Sequence, residues 1–268
     1  MQMNASTLLS HYDCAQLWPA PTHLDMPAAY SEALAVRQLR LARGEQSRGY
    51  KIGFTNRSIW PRYNATAPIW GTIYDTTLSY YTPQSTPQST LALHGICQPR
   101  IEPESVLTLR ATPPARCTIE QLFDCVETVA PGFEIVQSHL TDWKFALPDA
   151  VCDGSLHARL LVGKPISVHA LAKSADDFCK LLAACKVNLL RDDQPMDAGA
   201  GANVLGDPLT ALLHFVHEIQ SCPGAPALQA GDVITTGTWT DAFPVAPGQT
   251  WHAEFDTPLS PLTIHFSA

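Results

Sequence analysis

Two glutamates stand two residues apart in Arg100-Ile101-Glu102-Pro103-Glu104. In a strand, side chains at i and i+2 share a face. Like charges held that close repel and raise one pKa unless a cation lies between them. A hard divalent ion such as Mg²⁺ or Mn²⁺ takes such oxygen ligands and keeps positions open for water and substrate. The same spacing also suits a solvated strand face, so the pair alone does not decide. Glu134 adds a constraint, because it lies in the apolar run Gly132-Phe133-Glu134-Ile135-Val136, where a lone ionised carboxylate is costly to bury. It needs a cation, a metal or a hydrogen-bond network, and a structural ion pair would serve as well. Lys51, inside Tyr50-Lys51-Ile52-Gly53-Phe54, poses the same problem with opposite sign. A desolvated lysine drops toward the proton-transfer range. Asp75, in Ile73-Tyr74-Asp75-Thr76, is a candidate partner, and an exposed strand face is the alternative.

The elements that must carry these groups follow from pattern. Pro27 to Arg43 reads as a helix with Tyr30, Leu34 and Leu41 near one stripe and Gly44 as its stop. Thr118 with Gln121 three residues later has the form of a capping box. It opens a helix whose apolar side is Ile119, Leu122, Phe123, Val126 and Val129, ended by Pro131-Gly132, with a strand over Phe133 to Val136. Ser174 to Cys185 is a further helix, followed by a strand near Val187-Leu190 and a turn at Asp192-Asp193. Asp207-Pro208 starts another helix, Asp as cap and Pro in the first turn. Strands over Asp232-Thr235, Trp251-Phe255 and Leu262-Phe266 close the chain. There is no regular βαβ alternation and no GxGxxG or GxxxxGK[ST] element. The expected class is α+β with a large mixed sheet or β-roll. Thr82 to Thr90 (TPQSTPQST) repeats a Pro/Ser-rich unit and is expected as a surface loop at the seam between an N-terminal portion, 1–85, and the main body, 86–268.

Composition narrows the function classes. The 268 residues carry 17 Lys+Arg against 25 Asp+Glu, a net charge of −8, which argues against polyanion partners. Arg37, Arg40 and Arg43 form the nearest approach to a basic patch and are expected on a solvated helix face. No run of about 18 apolar residues is long enough for a membrane span. Residues 1–18 lack the basic end and apolar stretch of a signal peptide. The eight cysteines include no CxxC pair, so they read as reduced thiols of a cytoplasmic protein, and no spacing supports a zinc site. His214 and His217 are expected as a surface pair, and His252 and His265 as solvent-facing.

The motifs GYKIGFT (Gly49–Thr55), GTIYD (Gly71–Asp75), IEPE (Ile101–Glu104), FEIV (Phe133–Val136), DWK (Asp142–Lys144), GANVLGDPL (Gly201–Leu209) and GDVITTGTWTDAFPV (Gly231–Val245) occur in the order found in one family. The chain resembles the 2-keto-4-pentenoate hydratases and related 4-oxalocrotonate decarboxylases of the fumarylacetoacetate hydrolase superfamily, over about Pro27 to Phe255. The resemblance implies a mixed β-roll core of the fumarylacetoacetate hydrolase type with a smaller N-terminal α/β portion. It implies Mg²⁺ or Mn²⁺ held by Glu102, Glu104 and Glu134, a catalytic lysine at Lys51 and its accompanying acid at Asp75. Lys144 matches the lysine of the WK element, in a structural, supporting or substrate-binding position. A Glu as third ligand favours the hydratase/decarboxylase branch over the C–C bond hydrolases, which usually have Asp there. Asp153-Gly154-Ser155-Leu156-His157 stands where relatives carry an Asn-Ala-Ser-Ser-like run. The serine contact to the substrate carboxylate is then lost or taken over by Ser155 or His157. With Trp239 and Asp241 in the late segment, this implies an atypical substrate.

The expected activity is a metal-dependent lyase of aromatic-compound catabolism. It adds water to a 2-hydroxy-2,4-dienoate, or its 2-oxo tautomer, to give a 4-hydroxy-2-oxo acid. Loss of CO₂ from a 4-oxalocrotonate-like diacid is the alternative. A low-activity accessory subunit and a C–C bond hydrolase using His157 or His139 are further ones. The resemblance implies a homo-oligomer, in association with a pathway decarboxylase or hydratase in some relatives.

Overall fold

The computed structural model describes residues 3–81 and 89–268. Helices α1 (Ala5–Asp13) and α2 (Met26–Ala42) lead into strand β1 (Ser47–Gly53), the single-turn helix α3 (Trp60–Tyr63) and strands β2 (Ile69–Tyr74), β3 (Leu78–Tyr80) and β4 (Ser89–Ala92). Then come β5 (Arg100–Leu109), α4 (Ile119–Cys125), β6 (Val126–Val136), α5 (Leu147–Cys152), β7 (His157–Val162) and β8 (Ile166–Ser167). After α6 (Val168–Leu171) and α7 (Ala175–Ala184) follow β9 (Lys186–Arg191), β10 (Gln194–Ala200) and α8 (Pro208–Ser221). The chain closes through β11 (Val233–Thr238), β12 (Phe243–Pro244), β13 (Thr250–Phe255) and β14 (Leu262–Ser267).

These strands form two mixed sheets. One has nine strands in the path β2-β1-β11-β5-β6-β7-β3, with β12 beside β5 and β8 beside β6. The other has five, ordered β10-β9-β13-β14-β4. The α+β expectation holds, and β1, β2 and β3 share the larger sheet with strands from the rest of the chain. The expected seam at TPQSTPQST falls largely outside the described residues, and its last two residues open β4.

The caps behave as their chemistry requires. Asp25, Ser174 and Asp207 each accept a backbone N–H in the first turn of α2, α7 and α8. Thr118 and Gln121 close the reciprocal capping box of α4. That helix is nevertheless shorter than expected. It stops at Cys125, and Val126 to Val136 is one continuous strand. The β-branched Val126, Thr128 and Val129 suit the pleat, and pairing with β5 runs from Arg100↔Val136 to Leu109↔Val126. Pro131 is tolerated inside β6 because it falls where the neighbour on that side changes. Thr128 and Val129 pair with β8, and pairing with β7 starts at Gly132.

The arginine face of α2 also differs from expectation. Arg40 is buried, with its guanidinium over the rings of Tyr12 and Tyr74 at 4.6 and 3.8 Å and paired with Glu45. Arg43 reaches Asp13 and Glu45, so the stripe ties α1 and the α2–β1 turn together.

Candidate metal centre

The register of β5 and β6 sets Glu102 directly opposite Glu134, and Glu104 opposite Gly132. Glu102 and Glu104 share the inner face of β5. At Gly132 there is no side chain to compete for that space, and a Cβ there would stand 2.5 Å from Val106 Cγ2. The three glutamates each offer a carboxylate oxygen, and these atoms lie within 4.8 Å of one another.

Lys51 Nζ lies 3.3 Å from Glu134 Oε2. Strands β1 and β6 are three ladder steps apart in the order β1-β11-β5-β6, roughly 14 Å across a flat sheet. A lysine does not span that distance. The contact exists because the sheet curls into a half-barrel and brings its inner faces together. Gly53, beside Lys51, leaves its Nζ room, since a Cβ at that position would come within 3.4 Å of it.

The opposite side of Glu104 is fixed by backbone. The Gly237 N–H donates to Glu104 Oε2 at 2.7 Å. This donor turns inward at a bulge of β11 between Thr235 and Thr238. Gly237 has φ +101°, and a Cβ there would meet Thr55 Oγ1 at 1.8 Å, so only glycine fits.

Charges in this nest are far from balanced. Burial, opposed by Lys51 and reinforced by Glu134, pushes Glu102 up to about 7. Burial and the two neighbouring carboxylates push Glu104 well above the usual carboxylate range. Burial also acts on Glu134, but Lys51 and His157 outweigh it and hold this carboxyl below its ordinary value. Lys51 is held above its ordinary value, the three glutamates overcoming the burial that would lower it. The lowered lysine expected for an isolated desolvated ammonium is thus reversed by its partners. Glu104 Oε1 and Glu134 Oε2 are buried without a hydrogen-bond donor. Three carboxylates and one ammonium sum to −2, which a divalent cation would cancel. The donor set is all oxygen, as a hard cation prefers, and two of its oxygens lack other partners. The residues fit the group.

The other expected site residues divide. Ser155 lies in the pocket, fully buried, with φ +57° and its Oγ unpartnered. It reaches Lys51's neighbourhood because Gly71, opposite Lys51 in β2, has no Cβ; one would stand 2.1 Å from the Gly154 carbonyl. His157 does not line this pocket. It stands behind the carboxylates, with Nδ1 donating to Glu134 Oε1 at 2.9 Å and Nε2 3.0 Å from Thr77 Oγ1. A carboxylate only accepts, which fixes the Nδ1–H tautomer, and burial holds the ring below its ordinary pKa.

Asp75 is not the partner of Lys51. Lys51 pairs with Gly71 and Ser47 with Tyr74, so the antiparallel register carries Asp75 to the far end of β1. There it caps the backbone N–H groups of Gln46 and Thr76. Lys144 is likewise elsewhere, 79 % exposed in its side chain and paired with Asp142 at 3.1 Å. His139 is buried away from the glutamates, bonded to Asp153 and stacked on Trp18. Trp239 is fully buried against Phe255, whereas Asp241 reaches the pocket.

The pocket holds about 230 Å³ and is bounded by Lys51, Glu102, Ser155 and Gly237 at one side. Phe54, Tyr63, Trp143 and Phe145 add an aromatic wall, and Arg62 and Arg100 line it too. Gly237, Thr77 and the two arginines were not expected from the sequence. Only the GTG spacing around Gly237 offered a signal.

Comparison with known proteins places this arrangement in context. No protein-family model matches the chain. A 2-hydroxyhexa-2,4-dienoate hydratase of Comamonas testosteroni is 31% identical over 221 residues, 82% of this chain and 78% of that protein. A 4-oxalocrotonate decarboxylase of a Pseudomonas species is 28% identical over 221 residues, 81% and 79% of the two chains. The solved 4-oxalocrotonate decarboxylase of Pseudomonas putida G7, complexed with magnesium and adipate, superposes with a TM-score of 0.87 at 22% identity, over 98% of this chain and 95% of that one. The architecture is therefore of the fumarylacetoacetate hydrolase type, and by sequence the chain belongs to the 2-keto-4-pentenoate hydratase/4-oxalocrotonate decarboxylase family.

Proposed function

We propose that the protein is a metal-dependent hydro-lyase that adds water to a 2-hydroxy-2,4-dienoate, or its 2-oxo tautomer, yielding a 4-hydroxy-2-oxo acid. The observation that carries this is the buried group of three glutamates facing Lys51, with two carboxylate oxygens lacking a donor. Similarity to a hydratase at 31% identity supports it. Mg²⁺ or Mn²⁺, held by Glu102, Glu104 and Glu134, supplies Lewis acidity at the 2-oxo group.

The chain's own residues do the rest. Lys51 accepts the proton of the 2-hydroxyl and delivers it to the far carbon of the diene, giving the conjugated 2-oxo-3-enoate. Its elevated pKa keeps it protonated at rest, ready to stabilise negative charge on the oxygen. Water then adds across the remaining double bond, hydroxyl at C4 and proton at C3. The unpartnered Ser155 Oγ is the hydrogen-bond donor for the substrate carboxylate. His157 and the Gly237 N–H hold Glu134 and Glu104 in place. Phe54, Tyr63, Trp143 and Phe145 keep bulk water from the diene. All eight cysteines are free, in keeping with a cytoplasmic enzyme.

The test is decay of the ultraviolet absorbance of 2-hydroxypenta-2,4-dienoate, with product identified as 4-hydroxy-2-oxopentanoate. Decay that needs Mg²⁺ or Mn²⁺, stops on chelation and is abolished in Glu102→Gln is expected. Full turnover by that variant would remove the metal assignment.

A further inference from the structure

Two guanidinium groups line the same pocket as Lys51 and Glu102 without a carboxylate of their own. Arg100 precedes Glu102 by two residues in β5, so the two share a face about 7 Å apart along the strand. Its guanidinium lies 4.3 Å from the centre of the Trp143 ring. Arg62, in α3, lies 5.3 Å from the centre of the Tyr63 ring. Neither is in an ion pair among the described residues. Asp241 also lines the pocket, and its backbone N–H is held by Asp197. Burial draws Arg100 below its ordinary pKa; Glu102 and Tyr63 oppose this, and Arg62 adds to the fall, so the two cations feel each other.

Like charges sharing a partly buried pocket repel, and an anion between them relieves both. The planar fork of arginine matches a carboxylate through paired, charge-assisted hydrogen bonds. Stacking on Trp143 and Tyr63 steadies the guanidinium planes and lowers the entropy lost on binding. Arg100 also lies one pleat further along β5 than Glu102, on the side away from Glu104. A substrate whose 2-oxo acid end is at the glutamates therefore extends its carbon chain toward the arginines.

We propose that Arg62 and Arg100 form a carboxylate subsite at the distal end of the pocket, so that the substrate is a 2-oxo or 2-hydroxy acid carrying a second carboxylate at its far end. This rests on the metal centre described above as the site of the 2-oxo acid group. Its test separates the two ideas.

Calorimetric binding of 2-oxoadipate and 2-oxohexanoate, equal in length and differing in the distal carboxylate, is measured in Mg²⁺ and again after chelation. The wild type is expected to prefer 2-oxoadipate about tenfold or more. Arg62→Gln and Arg100→Gln each collapse that ratio toward one, Arg62→Lys retains part of it, and Lys144→Gln leaves it unchanged. Retained melting temperatures exclude misfolding as the cause. No preference in the wild type, or equal loss of both ligands in the arginine variants, overturns the subsite. A preference that persists without any response to chelation keeps the subsite and sinks the metal-dependent reading. Binding that needs metal but ignores the distal carboxylate does the reverse.

Discussion

Gly237 contributes no side chain, yet it decides the orientation of a carboxylate. Its inward N–H bonds Glu104, while its positive φ and the nearby Thr55 exclude a Cβ. Gly237→Ala is expected to cost about 1–3 kcal/mol of stability and to weaken Mg²⁺ binding, read by urea titration and by calorimetry. At Lys51 the expectation concerns rate. Lys51→Met should lower turnover by about 10²–10⁴-fold, the range of a lost proton-transfer group, with the metal still bound. Unchanged turnover would remove Lys51 from the chemistry. Glu102, Glu104, Glu134 and Lys51 were readable because ionisable groups in apolar runs demand partners. Asp75 was misjudged as a partner because sequence proximity to β2 says nothing about register, which carries it away from Lys51.

At the scale of elements, caps were more readable than interiors. Thr118, Ser174, Asp207 and Asp25 each stand where a first-turn donor needs an oxygen. Asp207→Ala should cost about 1 kcal/mol, seen as a lower urea midpoint, because Asp207 bonds both Thr210 N–H and Thr210 Oγ1. The boundary between α4 and β6 was not readable. Val126 and Val129 continue the apolar spacing of α4, and a strand buried on both faces lacks the alternation that would reveal it. Tertiary pairing with the full length of β5 settles the matter.

For the whole molecule, three buried carboxylates make the metal a folding partner as well as a reagent. Mg²⁺ at about a hundred times its dissociation constant should add about 2.7 kcal/mol, measured as a rise in Tm that Glu102→Gln abolishes. A separate buried pair sets a pH dependence. Burial works against a charged His139, but Asp153 outweighs it and raises His139 to about 10. A folded pKa above the unfolded value of about 6.5 means stabilisation that is complete below that pH and is lost as pH rises through about 10. Comparing urea midpoints at acid and alkaline pH, His139→Gln should flatten this decline. If it does not, the imidazolium is not the group responsible.

The pairing of Glu102 with Glu134 has a consequence for how the sheet finds its alignment. From Val129 to Val136, β6 is buried on both faces, so apolar residues give no preference between neighbouring offsets. A slip of one position would turn Glu134 to the opposite face, away from Lys51, and set the side chain of Phe133 opposite Glu102. The polar cluster therefore acts as an index mark on the β5–β6 ladder, penalising misalignments that the hydrophobic effect would accept. Residues kept for chemistry thereby also specify which of several greasy alignments the chain adopts.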